Sequence, residues 1–169
     1  VPIAPHCEES WLKELQPKGG SGFYDFMHYN NEVKYIRDCI IHGVKDTLCS
    51  CHFPHVSLEE SIKRIEEARK DGLLVTAEAT PHHFTLTWED ACQIGANARV
   101  NPPLRTSTDV AAVKKALQSN IIDVIASDHA PHAPEEKSSD NPPFGIIGLE
   151  TTLGIVLTHL VHPGVLSLY

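Results

Sequence analysis

The 169-residue chain carries 14 basic and 22 acidic residues, which give a formal net charge of −8 at pH 7. No Lys/Arg cluster forms a stripe that could follow a phosphate backbone, so we expect no nucleic-acid partner. The composition, 41% hydrophobic and 21% charged, is typical of a globular domain. No apolar run reaches the roughly 18 to 20 residues of a membrane helix, so we expect neither a membrane span nor secretion.

Four short apolar or β-branched runs predict strands, and the amphipathic stretches between them predict helices. The predicted strands are residues 1–4, 47–53, 73–77 and 121–126. The predicted helices are residues 31–43, 57–72, 87–93, 108–119 and 147–160. Residues 18–22 and 132–144 are predicted loops, because they are rich in Gly or in Pro and charge.

Three helix predictions are specific enough to test against a structure. Ser57 and Glu60 have the S-x-x-E spacing of a capping box at the start of the second helix. Gly43 is expected to stop the first helix. The helix at 147–160 is apolar enough to be mostly buried.

The alternation of strands and helices predicts an α/β fold, namely a partial (β/α)8 TIM-type barrel. Parallel strands with outer helices would form roughly the second half of the barrel, and residues 1–169 would be one domain. The chain begins with Val rather than Met, and residues 1–4 run directly into a polar motif, so we expect it to start within the fold. A half barrel leaves unpaired strand edges, so we expect a homo-oligomer.

The five cysteines are odd in number and show no CxxC spacing. Neither a disulfide framework nor a thiolate zinc site is indicated. We therefore expect a reducing, cytoplasmic compartment.

Polar side chains follow each predicted strand. They are His6, His55, the pair His82 and His83, and then Asp128, His129 and His132. A single His at a strand end more often caps a backbone group than binds a metal. Its repetition after successive strands favours a metal site, because the carboxyl ends of barrel strands meet on one face and neutral imidazoles are zinc ligands.

Six motifs in a fixed order make this interpretation more specific. They are HCE at 6–8, HVS at 55–57, TAEATPHH at 76–83, NPPLR at 101–105, ASDHAPH at 126–132 and GIIGLET at 145–151. Together they resemble the dihydroorotase family of zinc-dependent cyclic amidohydrolases, over residues 6–168. The resemblance implies reversible interconversion of N-carbamoyl-L-aspartate and L-dihydroorotate in pyrimidine biosynthesis.

The same resemblance implies a metal site with Zn²⁺, two ions per site in the complete family and fewer possible here. His6 and His55 would bind one metal. Asp128 would touch the other and shuttle a proton between the attacking water and the ring nitrogen. Zinc would lower the pKa of the water and polarise the carbonyl.

Four further residues are implied in substrate binding. Asn101 and His132 would hold the carboxylate and ring of the small-molecule substrate, dihydroorotate or carbamoyl aspartate. The backbone at Pro143 and Gly145 would close over the ring.

Three residues of the motifs are left with open or indirect roles. His82 and His83 are adjacent and are not direct ligands in the family, so we expect them to support the site from behind the metal ligands. Arg105 could clamp a carboxylate, or it could fix its own loop by bonding a helix end or an acid.

The sequence also departs from the family pattern. No H-x-H pair precedes His6, and no bridging carboxylated Lys or Asp has a place. We therefore expect weak or no catalysis by this chain alone. Two alternatives stay open: a dihydropyrimidinase- or allantoinase-type cyclic amidohydrolase, and a non-catalytic dihydroorotase-like scaffold.

Overall fold

The structure, a computed structural model, describes residues 32–46 and 49–168. Three parallel strands form one sheet there in the order β1-β2-β3. They are β1 (Cys51–Phe53), β2 (Val75–Ala79) and β3 (Val124–Ile125). Each lies within or beside a predicted strand, whereas the predicted strand at 1–4, the loop at 18–22 and His6 lie outside the described residues.

Helices precede and follow these strands. Residues 32–38 form α1, which continues as a π-helix at Cys39–Lys45, and a 3₁₀ turn at Gly95–Ala98 follows α4. The others are α2 (Glu59–Lys70), α3 (Pro81–Thr85), α4 (Trp88–Ile94), α5 (Ser107–Gln118), α6 (Pro134–Lys137) and α7 (Thr152–Val156), which continues as a π-helix at Leu157–Val161. The sequence did not predict α3 or α6, two single turns that begin with proline, a residue favoured at the first helical position.

The first helix does not stop at Gly43, as predicted, but runs on to Lys45. The Asp46 amide donates to the Ile41 carbonyl, five residues back, which is the wider bonding of a π-helix. Val44, beyond the glycine, is buried in the core. Burial of this apolar side chain outweighs the helix-stopping tendency of one glycine.

The predicted capping box at Ser57 and Glu60 is wrong. Leu58 is the N-cap residue of α2 and has no side-chain cap bond. The hydroxyl of Ser57 instead lies between the side chains of Glu32 and Arg105. The Glu32 carboxylate accepts the amides of Ser57 and Leu58, at 3.1 and 3.2 Å, and so satisfies the helix start from a distant part of the chain.

The segment at 147–160 is helical only in its second half, and the expectation that it is mostly buried is wrong. Leu153 is 70% exposed and Ile147 and Leu149 are similarly open, while Leu160 is fully buried. Only one side of this segment packs on the rest of the described chain, through α3 and the core. An apolar sequence did not therefore imply burial on all sides.

The main core lies between the sheet and the helices. Alternate strand residues, Cys51, Phe53, Val75, Ala77 and Ala79, point into it. Apolar side chains of α1, α2, α5 and the Leu157–Val161 segment cover them. The other sheet face carries polar groups. This is the layering of a (β/α) barrel wall, with helices on one side of parallel strands.

The polar face of the sheet is held by its own hydrogen bonds. His52 bonds Thr76 at 2.8 Å through Nδ1 and Glu78 at 3.1 Å through Nε2. These side chains come from β1 and β2, so they tie the two strands together on the side away from the helices. None of the helices in the described part of the chain is long and apolar enough to cross a membrane.

Candidate functional site

The polar residues predicted to form a site follow the carboxyl ends of the three strands. His55 comes two residues after β1, His82 three after β2, and Asp128 three after β3. His55 and Asp128 have positive φ angles of 36° and 47°. Positive φ is uncommon outside glycine and clusters at functional sites. His6, the third predicted metal ligand, lies outside the described residues.

The side chain of His82, in α3 after β2, approaches Asp128, in the loop after β3. Its Nε2 atom lies 3.9 Å from Oδ2 of Asp128, too far for a direct hydrogen bond. Burial, with smaller contributions from the neighbouring imidazoles of His83 and His55, holds the pKa of His82 well below its usual range. The imidazole is therefore neutral, and the contact is not an ion pair at neutral pH.

The metal-ligand arrangement is incomplete within residues 32–46 and 49–168. No three His, Cys, Asp or Glu side chains are grouped there so as to hold a metal ion. Nε2 of His82 is buried and has no hydrogen-bond partner among the described atoms. The described part thus contains two of the predicted donors, His55 and Asp128, beside a neutral imidazole.

His83 is directed away from Asp128, into the protein. Its Nδ1 lies 2.8 Å from the Thr80 hydroxyl and its Nε2 lies 2.9 Å from the Pro102 carbonyl. The ring is fully buried, and burial lowers the pKa of His83 to about 3. His82 and His83 therefore face different surroundings, and both act here as neutral side chains.

Asn101 lies at the start of the loop that His83 touches. The Asn101–Pro102 peptide bond is cis. Asn101 is partly exposed, while its Oδ1 atom is buried and has no hydrogen-bond partner in the described structure. The side-chain amide of Asn101, which is predicted to bind substrate, thus has an oxygen that accepts no hydrogen bond from the described residues.

Arg105, at the end of the same loop, is buried and structural. Its guanidinium donates to Oγ of Ser57 at 3.0 Å and to Oε2 of Glu32 at 3.3 Å. Of the two roles left open by the sequence, fixing the loop through an acid is the one observed. The sequence analysis missed Glu32 because no motif marks it. Its role is visible only in the structure, where its buried carboxylate bonds Ser57 and Arg105.

His132 and Gly145 pack against each other. Nε2 of His132 donates to the Phe144 carbonyl at 2.9 Å. A Cβ at Gly145, where φ is +142°, would lie 2.6 Å from the Ala130 carbonyl oxygen and 3.0 Å from Nε2 of His132. Only glycine lets the two segments approach this closely.

Lys137 ties the backbone near Arg99 to the backbone at Pro143. The sequence analysis did not identify this lysine. Its ammonium group donates to three carbonyls, those of Ala96, Arg99 and Pro143, at 3.2, 3.3 and 3.0 Å. The Gly145 amide also donates to the Arg99 carbonyl, at 2.9 Å. Pro143 and Gly145, both predicted to line the substrate, are thus fixed through their backbones. A lysine at the end of a single helical turn gives no sequence signal of this role.

His129 anchors the start of the last helical segment. Its Nδ1 accepts the amides of Gly148 and Leu149 at 3.1 and 3.2 Å, so the ring is neutral with its proton on Nε2. A cavity of about 240 Å³ opens beside this turn. Its wall includes His82, Ser127, Ile146, Gly148 and His159. The cavity therefore borders the His82 and Asp128 neighbourhood.

Comparison with known sequences identifies close relatives. No family model matches the chain. It is 40% identical over 176 residues to a dihydroorotase of Anoxybacillus flavithermus, covering 99% of this chain and 41% of that protein. It is 49% identical over 138 residues to a dihydroorotase of Pelotomaculum thermopropionicum, covering 80% of this chain and 32% of that protein. The chain thus spans about two fifths or less of the length of these curated relatives.

Solved structures show the same fold. A dihydropyrimidinase of Brevibacillus agri NCHU1002 superposes with a TM-score of 0.87 at 22% identity, over 99% of this chain and 40% of that one. An L-hydantoinase of Arthrobacter aurescens gives 0.87 at 28% identity, over 98% and 40%. A dihydroorotase of Saccharomyces cerevisiae, in complex with 5-fluoroorotic acid, gives 0.73 at 21% identity, over 81% and 39%.

These matches confirm the predicted α/β class and partial (β/α)8 barrel. The relatives with the higher sequence identity are named dihydroorotases, although hydantoinases share the fold. Over nearly its whole length, the chain is therefore a homologue of the dihydroorotases.

Proposed function

We propose that this chain supplies the carboxy-terminal part of a dihydroorotase site, which interconverts N-carbamoyl-L-aspartate and L-dihydroorotate. The observation that carries the proposal is the approach of His82 to Asp128, at 3.9 Å, at the carboxyl ends of β2 and β3, with His55 following the carboxyl end of β1. The 40% identity to a dihydroorotase over 99% of the chain supports this activity among those of the cyclic amidohydrolases.

Zinc is part of the proposal, and the donor chemistry of the described residues fits it in part. His55 and Asp128 are a nitrogen and an oxygen donor of the types that zinc takes, and His6 would join His55. The neutral, buried imidazole of His82 beside Asp128 suits a support for the carboxylate. When bound, zinc would supply Lewis-acid polarisation of the amide carbonyl and a lower pKa for water.

Asp128 would move the proton. Its side chain is partly exposed, so the carboxylate is accessible to molecules from solution. His82 is kept neutral by burial, so it forms no salt bridge that would hold the Asp128 carboxylate in its charged form. Asp128 would accept the proton of the water during ring opening and deliver it to the departing nitrogen, and would run in reverse during ring closure.

Asn101 and His132 would bind the substrate, and the structure suggests which atoms take part. Oδ1 of Asn101 is a buried acceptor suited to a ring N–H. Nε2 of His132 is committed to the Phe144 carbonyl, so Nδ1 is the nitrogen available to substrate. Oε2 of Glu136 lies 3.8 Å from the same Nδ1 atom, at the edge of this proposed contact.

The proposal is tested by zinc and ligand binding to the full chain. We expect zinc uptake, measured by inductively coupled plasma mass spectrometry after dialysis, to fall in a His55→Ala, Asp128→Ala double variant. We expect calorimetric binding of L-dihydroorotate to fall in Asn101→Ala. The variant His42→Ala, on the exposed side of the first helix, is the matched control. Equal uptake and binding by all four proteins would contradict the proposal.

A second candidate, a hydantoinase or dihydropyrimidinase activity, is favoured by the fold matches with TM-scores of 0.87. Dihydrouracil and hydantoin lack the carboxylate of dihydroorotate, so they cannot make the carboxylate contact proposed for His132. We expect L-dihydroorotate to bind more tightly than either. Tighter binding of dihydrouracil would favour the second candidate.

The remaining parts of the proposal concern the chain as a whole. We propose that residues 1–169 form one partial barrel domain that self-associates, and that alone it turns over little or no substrate. An assay of N-carbamoyl-L-aspartate cyclisation measures the turnover, and light scattering measures the self-association. A non-catalytic scaffold would bind neither zinc nor dihydroorotate. A reducing, cytoplasmic compartment stays part of the proposal and rests on the odd number of cysteines.

A further inference from the structure

His83 is fixed in one orientation and one tautomer. The Pro102 carbonyl can only accept, so the proton must be on Nε2. Nδ1 then accepts from the Thr80 hydroxyl at 2.8 Å. Both ring nitrogens are engaged and the side chain is buried, so every polar atom of the imidazole is committed to holding something in place.

What His83 holds is the Pro102–Pro103 peptide group, one residue beyond Asn101. Pro102 is fully buried and directly follows Asn101. Arg105 fixes the other end of the same short loop, through Ser57 and Glu32. The loop therefore has two internal anchors, and Asn101 lies just outside the first of them with its Oδ1 acceptor unused in the described structure.

The neighbouring histidine serves the other half of the site. His82 faces Asp128 at 3.9 Å, while His83 faces Pro102 at 2.9 Å. The two ring centroids are 4.5 Å apart and the rings are tilted by 55°. One helical turn, α3, thus lies between Asp128 and the loop that carries Asn101, and it is hydrogen-bonded to the loop through His83.

We propose that His83 is a positioning residue that sets the reach of Asn101 toward the substrate, by holding the Pro102 carbonyl. This inference rests on the proposed function, because it takes dihydroorotate as the ligand of Asn101. It assigns His83 no contact with substrate. Its effect on binding must therefore pass through Asn101, and this separates positioning from a general role in stability.

A double-mutant cycle measures that coupling. Calorimetry gives the dissociation constant of L-dihydroorotate for the full chain and for His83→Phe, Asn101→Ala and the double variant. Phenylalanine fills the space but removes both hydrogen bonds. We expect His83→Phe to weaken binding on the order of 10-fold, because a displaced Asn101 would lose its hydrogen bond to the ligand. In the Asn101→Ala background the same change should have about no effect.

Two further variants make the cycle specific. Glutamine at position 83 can place an N–H near the former Nε2, so His83→Gln should recover most of the affinity. His42→Phe, on the exposed side of the first helix, makes the same exchange far from the loop and should leave affinity unchanged. Equal weakening by His83→Phe in both backgrounds, or no weakening at all, would overturn the positioning role.

A ligand-free measurement separates this inference from the proposed function. The side-chain amide signals of Asn101 in a ¹H–¹⁵N spectrum report its orientation directly. We expect them to move or broaden in His83→Phe, and to stay in place in His42→Phe and largely in His83→Gln. Unmoved signals in His83→Phe overturn the inference. Failure of the unchanged chain to bind dihydroorotate, with the expected signals seen, contradicts the proposed function alone.

Discussion

Replacing Arg105 by methionine should destabilise the fold strongly, because it leaves a buried carboxylate without its counter-charge. Arg105 is 4% exposed and Glu32 2%. Breaking a buried ion pair by removing one partner costs about 3 to 5 kcal/mol. Glu32 would keep the two backbone amides and the hydroxyl that it already accepts, so we expect the lower value, about 3 kcal/mol.

Urea unfolding, followed by far-ultraviolet circular dichroism, measures this loss. With a slope of about 2 kcal/mol per molar, the midpoint should fall by about 1.5 M. Arg37→Met is the matched control. Its side chain is 55% exposed and pairs only with its neighbour Asp38 among the interactions described, so its effect should stay within about 0.5 kcal/mol.

The pairing itself is tested by adding Glu32→Gln. Once the acid is neutral, loss of the guanidinium leaves no buried charge, so Arg105→Met should cost at least about 1 kcal/mol less in this background. A loss below about 1 kcal/mol for Arg105→Met alone would refute the reasoning. So would equal losses in the two backgrounds.

Three further predictions concern the loops and pH. Gly145→Ala should lower the free energy of unfolding by about 1 to 3 kcal/mol, because its Cβ would meet the Ala130 carbonyl at 2.6 Å; thermal melting checks this against Gly43→Ala, which has open space. Lys137→Met should speed hydrogen exchange of the Gly145 amide by loosening the loop, while Lys70→Met, on the exposed side of α2, should not. Burial lowers the pKa of His83 to about 3, so the unfolded chain binds a proton there that the folded chain does not: this one group should lower stability by about 1.4 kcal/mol per pH unit from about pH 6.5 toward 3. His83→Gln should flatten that slope in urea titrations, and an unchanged slope would contradict the assignment.

The fold was predictable where the sequence pattern is local. The apolar period of α2 and α5, and the β-branched runs before them, gave elements close to those observed. The N-cap of α5 also follows a local rule, since Thr106 and Asp109 form a reciprocal capping box. The same rule misassigned Ser57, because Glu32, 25 residues earlier, bonds its hydroxyl. Long-range partners override a local motif without leaving a trace in it.

The site shows the same contrast between residues marked by local motifs and residues whose roles depend on distant partners. The motifs predicted His55, Asp128, Asn101 and His132 as site residues, and the placement of His55 and Asp128 just after strands follows from barrel geometry. The roles of Arg105 and His83 depend on which distant group each one meets, the Glu32 carboxylate and the Pro102 carbonyl. Spacing along the chain contains no such information, so only the structure could assign them.

The bonds of Lys137 have a consequence for how this region can vary. All three of its acceptors are main-chain oxygens, which every amino acid provides. Substitutions at positions 96, 99 and 143 can therefore change the surface offered to a ligand while the anchor persists. As long as Lys137 is kept, the side chains of these loops could change and alter ligand specificity while the loops stay attached to the rest of the fold.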